Sequence, residues 1–343
     1  MLPPVELRSQ DQGQGPILLL LHGVGLSHTV WKDVLPGLAS EFRVIAPDLR
    51  GHGRSPNPPD SHFTFPELEG DLLRLLDSKG VESAYVVGHS GGALLALRLA
   101  LDHPERVRGL VTISGAAYTD THTRSIAQRW TETYASEGPD AFGLRILKDL
   151  YYPDWIEAHL DFADQVREAV KHQDLEPATR WNAALSAFDE KSRVASLKVP
   201  TLIIQAMDDQ VVDASHGRIL RQSIPGAQIR ILAETGHMVP LERPQETVDA
   251  IVGFVRASEE KRAASPPAEY PRGRALINPR YTSEAMAPDD DAAQMAAKLA
   301  QLEKDLRDLR IRLATLEQKL DPRAEHPSDR TAVREKVAYD WQA

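Results

Sequence analysis

Cysteine is absent from this chain of 343 residues. Its absence excludes disulfide bonds, thiolate metal sites and a cysteine nucleophile. Any covalent chemistry therefore has to come from serine, threonine, lysine or a carboxylate.

Long apolar runs and an excess of positive charge are also missing. The run Ile17–Leu21 is far shorter than the roughly 20 residues that span a bilayer. The N-terminus has no basic segment followed by an extended apolar one, so we expect no signal peptide and a cytoplasmic location. Acidic residues number 50 and basic residues 40, for a net charge of −10. We therefore expect neither a membrane nor a nucleic-acid partner.

Motifs for metals and nucleotides do not occur. The sequence has no H-E-x-x-H, and its other histidines lack the spacing of metal ligands. It also has no G-x-x-x-x-G-K-[ST] and no G-x-G-x-x-G. We accordingly expect no metal and no cofactor.

Apolar runs of strand length alternate with helical periodicity between Pro16 and Arg256. Such near-continuous apolar strands, separated by helices, predict an α/β fold with a mostly parallel sheet covered on both faces. The predicted strands are Ile17–Leu21, Phe42–Ala46, Ala84–Val87, Gly109–Ile113, Thr201–Gln205 and Gln228–Leu232.

The strand pattern stops between residues 118 and 200, where helical segments replace it. Ten of the chain's 20 aromatic residues (Trp 5, Tyr 8, Phe 7 in all) lie in this stretch. A helical insertion between two strands predicts a lid. Its aromatic residues could pack against one another or line a substrate pocket, and the sequence does not distinguish these roles.

The composition changes after Arg256, where charged and proline-rich segments predict a linker over residues 257–290. A leucine heptad follows and predicts a coiled-coil helix over residues 291–321, with a polar tail at 322–343. The heptad leucines are Leu299, Leu302, Leu306, Leu309, Leu313, Leu316 and Leu320.

Charges beside the heptad favour a parallel arrangement of identical helices. Each of the three g positions would face an e position of opposite sign in a parallel pair, and the pairs are Lys298–Glu303, Asp305–Arg310 and Arg312–Glu317. We therefore expect a homo-oligomer through Leu299–Leu320. The number of strands stays open, as does pairing with another chain or packing of a single helix on the body.

A G-x-S-x-G segment, Gly88–Gly92, follows a predicted strand and precedes a predicted helix. In this context the motif forms a tight turn that projects the serine hydroxyl from the sheet. Ser90 is therefore the candidate nucleophile. His89 adjoins it, and we expect a structural role because that position in the turn points away from substrate.

A serine nucleophile needs a general base, and the base needs an orienting acid. His237 follows a predicted strand in the segment Gly236-His237-Met238, and Asp209 follows another. The chain order Ser, Asp, His is the order that the G-x-S-x-G turn requires. Asp208 adjoins Asp209 and stays an alternative for the acid.

A glycine-flanked loop, His22–Gly25, follows the first predicted strand. Such a loop can direct the Val24 amide toward the same point as the Gly91 amide. Two amides of this kind would form an oxyanion hole, which typically contributes about 3–4 kcal/mol for each donor.

Together these segments resemble the α/β-hydrolase superfamily, and within it the lidded serine hydrolases such as esterases and lactonases. The resemblance spans about residues 15–256 and implies a hydrolase domain over residues 1–256. In the family the acid usually lies in G-x-x-D with a proline four residues later, whereas this chain has Ala206 in place of the glycine and Asp213 in place of the proline. Asp209 holds the fourth place of this pattern, so the resemblance favours Asp209 over Asp208. The family's loop equivalent to Asp48–Ser55 is structural.

The sequence thus predicts a cofactor-independent hydrolase of esters, lactones or related acyl compounds, with a substrate that carries an apolar group. Carbon–carbon bond hydrolysis or metal-free perhydrolysis could use the same triad. A third possibility is a non-catalytic ligand-binding module whose coiled coil docks a partner. The motifs do not identify the substrate.

Overall fold

The computed structural model describes residues 5–58 and 63–264. Its seven strands form one sheet in the order β1-β3-β2-β4-β5-β6-β7, in which β1 is antiparallel to β3 and the other pairings are parallel. The strands are β1 (Ser9–Gln12), β2 (Ile17–Leu21), β3 (Arg43–Pro47), β4 (Ala84–His89), β5 (Val107–Ile113), β6 (Thr201–Ala206) and β7 (Gln228–Leu232). The α/β fold with a mostly parallel sheet is confirmed.

Strand β1 was not predicted from the sequence. Its residues, Ser-Gln-Asp-Gln, are polar and only partly buried. It lies at the sheet edge and pairs only with β3, from Ser9 opposite Pro47 to Gln12 opposite Val44. Backbone hydrogen bonds therefore hold it, and an edge strand needs no apolar pattern to form.

Helices cover both faces of the sheet and form the insertion between β5 and β6. They are α1 (Leu35–Ala39), α2 (Phe65–Ser78), α3 (Gly91–Asp102), α4 (Thr121–Glu137), α5 (Pro139–Leu150), α6 (Pro153–Ala158), α7 (Leu160–Lys171), α8 (Glu176–Ser186), α9 (Ser215–Ser223), α10 (Val239–Glu242) and α11 (Pro244–Ala264). Short 3-10 helices lie at His28–Trp31, Pro104–Arg106 and Val194–Ser196.

The alternation of side chains along β2 explains the two-layered core. Leu19 and Leu21 belong to the apolar cluster shared with α2, α3 and α9, whereas Leu18 and Leu20 belong to the cluster shared with α1 and α11. All four side chains are fully buried. Because successive residues of a strand point to opposite faces, a strand covered on both sides has to be apolar throughout.

Helices α4 to α8 form the predicted insertion between β5 and β6, so the helical lid is confirmed as a structural element. The two ends of the insertion are joined at its base. The Thr119 amide donates to the Phe188 carbonyl at 2.9 Å, and the Glu190 amide donates to the Ala117 carbonyl at 2.8 Å. These two hydrogen bonds hold the ends of the insertion together where it leaves and rejoins the sheet.

The last described helix, α11, continues to Ala264 and so includes the first residues of the segment that the sequence assigns to a linker. The Tyr85 hydroxyl donates to the Glu259 carboxylate at 2.6 Å, which ties this end of the helix to β4. The rest of the linker and the leucine heptad lie outside the described residues, so their boundaries stay predictions. No helix within residues 5–58 and 63–264 is long and apolar enough to cross a membrane.

Candidate active site

Ser90 lies in a sharp turn between β4 and α3. Its backbone has φ 55° and ψ −123°, a conformation that costs an L-residue about 1–3 kcal/mol. The Ser90 amide donates to the Ile113 carbonyl at 2.9 Å, which holds the turn in place. A Cβ added to Gly88 would lie 2.2 Å from the Gly92 carbonyl oxygen, so the glycines of the motif are sterically required.

The structure brings the three predicted side chains together. His237 Nε2 lies 2.8 Å from Ser90 Oγ, and His237 Nδ1 lies 2.9 and 2.8 Å from the two carboxylate oxygens of Asp209. The His237 side chain is 2% exposed and that of Asp209 is fully buried. When Nδ1–H donates to the carboxylate, the Nε2 lone pair is free to accept the Ser90 proton.

Asp209, and not Asp208, contacts the imidazole of His237. Asp209 also accepts hydrogen bonds from the Val211 and Val212 amides, both at 2.9 Å, which fix its carboxylate. Asp208 instead accepts from the Glu234 amide at 3.1 Å and stabilises the neighbouring loop.

Glu242 holds the loop that carries His237, and sequence analysis missed it. Its carboxylate accepts from the Gly236 amide at 2.9 Å, the Met238 amide at 3.2 Å and the lid's Tyr152 amide at 3.0 Å. Burial raises the pKa of Glu242 above its usual value, although these amides oppose the change. No sequence signal marks this glutamate, because its burial and its partners arise only in the fold.

His89 and Ser114 hold the backbone carbonyl of His237. His89 Nε2 donates to it at 2.9 Å and Ser114 Oγ donates at 3.2 Å. Ser114 also has a positive φ of 49°. Burial lowers the pKa of His89 to about 3, so this imidazole is neutral. His89 therefore fixes the backbone at His237, and it also lines the cavity beside Ser90.

The predicted oxyanion loop lies against the nucleophile. A Cβ added to Gly23 would lie 3.0 Å from Ser90 Cβ, and one added to Gly91 would lie 3.6 Å from the Val24 nitrogen. Within residues 5–58 and 63–264, neither the Val24 amide nor the Gly91 amide has a hydrogen-bond acceptor. Both amides are therefore free to donate to an oxyanion.

A cavity of about 310 Å³ opens beside Ser90 and His237, between the sheet and the lid. Its apolar walls include Leu94, Trp130 and Leu185. Trp130 is the one of the lid's ten aromatic residues that lines this cavity, and its Nε1 donates to Asp149 at 2.9 Å. Among the others, Tyr151 stacks on Trp155 with ring centroids 5.3 Å apart. Tyr151 and Phe162 also line a second cavity beside Leu26.

Metal chemistry has no candidate site in the described part of the chain. No group of three histidine, aspartate or glutamate side chains there is arranged to hold a metal ion.

The covered parallel sheet, the strained serine turn and the inserted helices together define the α/β-hydrolase class. The family profile for the alpha/beta hydrolase fold matches residues 16–244. The chain belongs to this family and is a hydrolase.

Similar proteins carry the names of several kinds of hydrolase. The RutD protein of Azorhizobium caulinodans, named for carbamate hydrolysis, is 30% identical over 251 residues, which cover 73% of this chain and 94% of the relative. The enol-lactonase from Burkholderia xenovorans LB400 superimposes with a TM-score of 0.68 and 26% identity, covering 74% of this chain and 97% of its own. A thermophilic esterase from Thermogutta terrifontis superimposes with a TM-score of 0.65 and 26% identity, covering 74% of this chain and 94% of the esterase.

Proposed function

We propose that the protein is a serine hydrolase that cleaves a carboxylic ester, a lactone or a related acyl compound. The observation that carries the proposal is the continuous contact from Ser90 Oγ through His237 to the Asp209 carboxylate. This arrangement supplies a nucleophile, a general base and a group that fixes the base's tautomer.

In the proposed reaction Ser90 Oγ attacks the substrate carbonyl while His237 Nε2 accepts its proton. The carbonyl oxygen becomes an oxyanion that accepts hydrogen bonds from the Val24 and Gly91 amides. His237 then protonates the leaving group, and an acyl-enzyme forms on Ser90. Water, deprotonated by His237, attacks the acyl carbon of the acyl-enzyme. The bond from this carbon to Ser90 Oγ breaks, His237 returns the proton to Oγ, and the acid is released.

The cavity supports a substrate with an apolar group. Its walls beside Ser90 are mostly apolar, and Val211 and Val212 extend them on the side of Asp209. The similar enol-lactonase and esterase favour cleavage of a carbon–oxygen bond, and the RutD relative adds carbamates as a related acyl class.

Covalent labelling tests the nucleophile. A fluorophosphonate should label the intact protein at Ser90, and S90A should abolish both labelling and hydrolysis. Exposed Ser125 on the lid helix α4 provides the control, and S125A should still be labelled. An unlabelled wild-type protein, or a label on another residue, would refute the proposal.

A substrate panel tests the bond that is cleaved. We expect esters or lactones with an apolar acyl or aryl group to be hydrolysed faster than carbamates of the same size. Carbon–carbon cleavage of a diketone, or chlorination with acetate and peroxide, would favour the alternative chemistries on the same triad. Biological activity that survives S90A would favour a ligand-binding module.

The C-terminal segment carries a separate proposal. The leucine heptad at 299–320 should associate in parallel with a second copy of the chain. Light scattering should give a larger mass per particle for the full chain than its monomer mass of 38.0 kDa. A chain that ends at Ala264 should be monomeric, and equal monomeric states for both would refute the proposal.

A further inference from the structure

Gly25, next to the candidate oxyanion donor Val24, is held from two directions. Its amide donates to His52 Nε2 at 2.9 Å, and its carbonyl accepts from Gln173 Nε2 at 2.8 Å. His52 belongs to the loop Asp48–Ser55 of the sheet domain. Gln173 belongs to the lid and connects α7 to α8. One glycine therefore joins the two parts of the molecule beside the nucleophile.

Three consecutive peptide units of this loop are fixed in the same manner. His22 Nδ1 donates to the Gly23 carbonyl at 2.7 Å and so orients the unit whose N–H belongs to Val24. His52 holds the next unit through the Gly25 amide, and Gln173 holds the third through the Gly25 carbonyl. The direction of the Val24 N–H depends on this chain of contacts, because neighbouring peptide planes share a Cα.

The third unit has the greatest need of an external partner. Gly25 has a φ of +73°, and a glycine moves between positive and negative φ at little cost. Gln173 is the hydrogen-bond partner of its carbonyl and is half-buried against it. The Leu26 amide of the same unit also donates to the Gly23 carbonyl, at 3.3 Å. Without the shorter Gln173 bond the unit can tilt about this contact, and the direction of the Val24 amide becomes less fixed.

His52 links the same loop to a second lid residue. Its Nδ1 lies 3.0 Å from the Arg50 carbonyl, which also accepts from Trp181 Nε1 at 3.0 Å. Nδ1 therefore carries the proton and Nε2 is free to accept from Gly25. Burial lowers the pKa of His52, which favours this neutral tautomer. Trp181 lies on α8 and is buried against His52 with a ring separation of 5.7 Å.

We propose that Gln173 is a positioning residue through which the seated lid sets the oxyanion loop. The inference rests on the proposed hydrolase function, since it assigns Val24 a role in stabilising the transition state. When the lid helices α7 and α8 are in place, Gln173 fixes Gly25 and the Val24 amide points at the reacting oxygen. When α7 and α8 are displaced, Gln173 leaves Gly25 and one oxyanion donor is no longer aligned.

This role predicts a loss in kcat and not in KM, because an oxyanion donor acts on the transition state. With an ester substrate, Q173L in the full chain should lower kcat about tenfold, less than the 10²–10³-fold cost of deleting a donor outright. Q173K keeps an N–H donor on a side chain of similar length and should restore most of the activity.

Comparison of an ester with its thiono counterpart separates this role from a general loss of structure. Sulfur accepts hydrogen bonds weakly, so the thiono ester gains less from the oxyanion hole. Q173L should therefore lower the ester-to-thionoester ratio of kcat several-fold. The matched control is Q165L, since Gln165 is an exposed glutamine on the lid helix α7. This variant should leave the ratio unchanged.

Two results would overturn the inference and leave the hydrolase proposal intact. One is an active wild-type protein whose Q173L variant matches Q165L in kcat and in the ester-to-thionoester ratio. The other is an equal fall for both substrates, which would indicate a structural role only. A wild-type protein with neither Ser90 labelling nor hydrolysis would instead refute both proposals.

Discussion

The two sides of Ser90 differ in whether carboxylates support them. Neutral imidazoles occur on both, since His89 also holds the His237 carbonyl. One side, here called the relay side, carries His237. There the buried carboxylates of Asp209 and Glu242 hold the His237 ring and the backbone amides of the two flanking residues. On the oxyanion side, the neutral imidazoles of His22 and His52 hold the loop.

This difference matches the charges that the proposed reaction would create. The imidazole of His237 would become a cation, and a nearby carboxylate stabilises it. The carbonyl oxygen would become an anion, and a carboxylate beside it would oppose its formation. Neutral histidines can fix the oxyanion loop without that penalty, because each offers one donor and one acceptor. In this site the side chains that hold the base and those that hold the oxyanion loop therefore differ in charge as well as in shape.

The largest effect should come from removing the charge on the relay side. In D209N the amide nitrogen can donate to His237 Nδ1, which forces the proton onto Nε2 and prevents it from accepting the Ser90 proton. We expect kcat to fall about 10³- to 10⁴-fold with the fold intact.

The neighbouring aspartate supplies the control for this change. D208N removes the same charge one residue away but leaves the contact with His237 untouched. Steady-state kinetics should show little change in kcat for D208N. Equal losses in the two variants would contradict the assignment of Asp209.

A smaller effect should follow from neutralising the second carboxylate of the relay side. E242Q keeps the size of the side chain, but its NH₂ group can no longer accept from one of the three amides. Loosening of the His237 loop should lower kcat about tenfold, since one hydrogen bond to a charged acceptor is worth about 1.5–3 kcal/mol.

The free energy of unfolding should fall by less than about 1.5 kcal/mol in this variant, because burial already disfavours the ionised Glu242. Exposed Glu246 on α11 provides the control, and E246Q should keep wild-type kinetics. If E242Q loses stability but retains full kcat, its role is structural.

The smallest effect should be on the pH dependence of stability, through the neutral histidines of the oxyanion side. Burial lowers the pKa of His22 to about 3 and also lowers that of His52. Below about pH 6.5 these histidines become protonated in the unfolded chain but not in the folded chain. Their contribution to the free energy of unfolding is therefore fully present above that pH and is lost as the pH decreases. Each buried histidine contributes a slope of at most about 1.4 kcal/mol per pH unit.

Urea unfolding at pH 7, 6 and 5 measures this slope. H52Q, whose amide oxygen can still accept from Gly25, should have a shallower slope than wild type. Exposed His172 in the lid provides the control, and H172Q should retain the wild-type slope. An unchanged slope in H52Q would show that His52 is not held neutral.

Much of the fold was predictable because its signals are local. Six apolar runs identified β2 to β7 to within a few residues, and the glycines around Ser90 identified the turn, since no side chain fits beside Gly92. The polar edge strand β1 gave no such signal. The end of α11 was also missed, because its charged residues are typical of a linker. Only the structure shows the hydrogen bond from Tyr85 to Glu259.

The candidate site was predictable in its chemistry but not in its supports. Residue types and chain order nominated Ser90, Asp209 and His237, because that chemistry needs those groups in any fold. The partners of Glu242 and Gln173 could not be foreseen, since a buried glutamate and an exposed one are the same letter. The lid aromatics were ambiguous for the same reason, and only Trp130 lines the cavity.

Periodicity and short motifs, which act between residues close in the chain, were enough to define the layers of this protein and to nominate its reactive groups. Contacts between distant segments set the rest. Gln173 reaches Gly25 across 148 positions, and His237 reaches Ser90 across 147. Such contacts depend on how strands and helices pack in space, and that packing sets which polar groups lose water and which partner each one then finds.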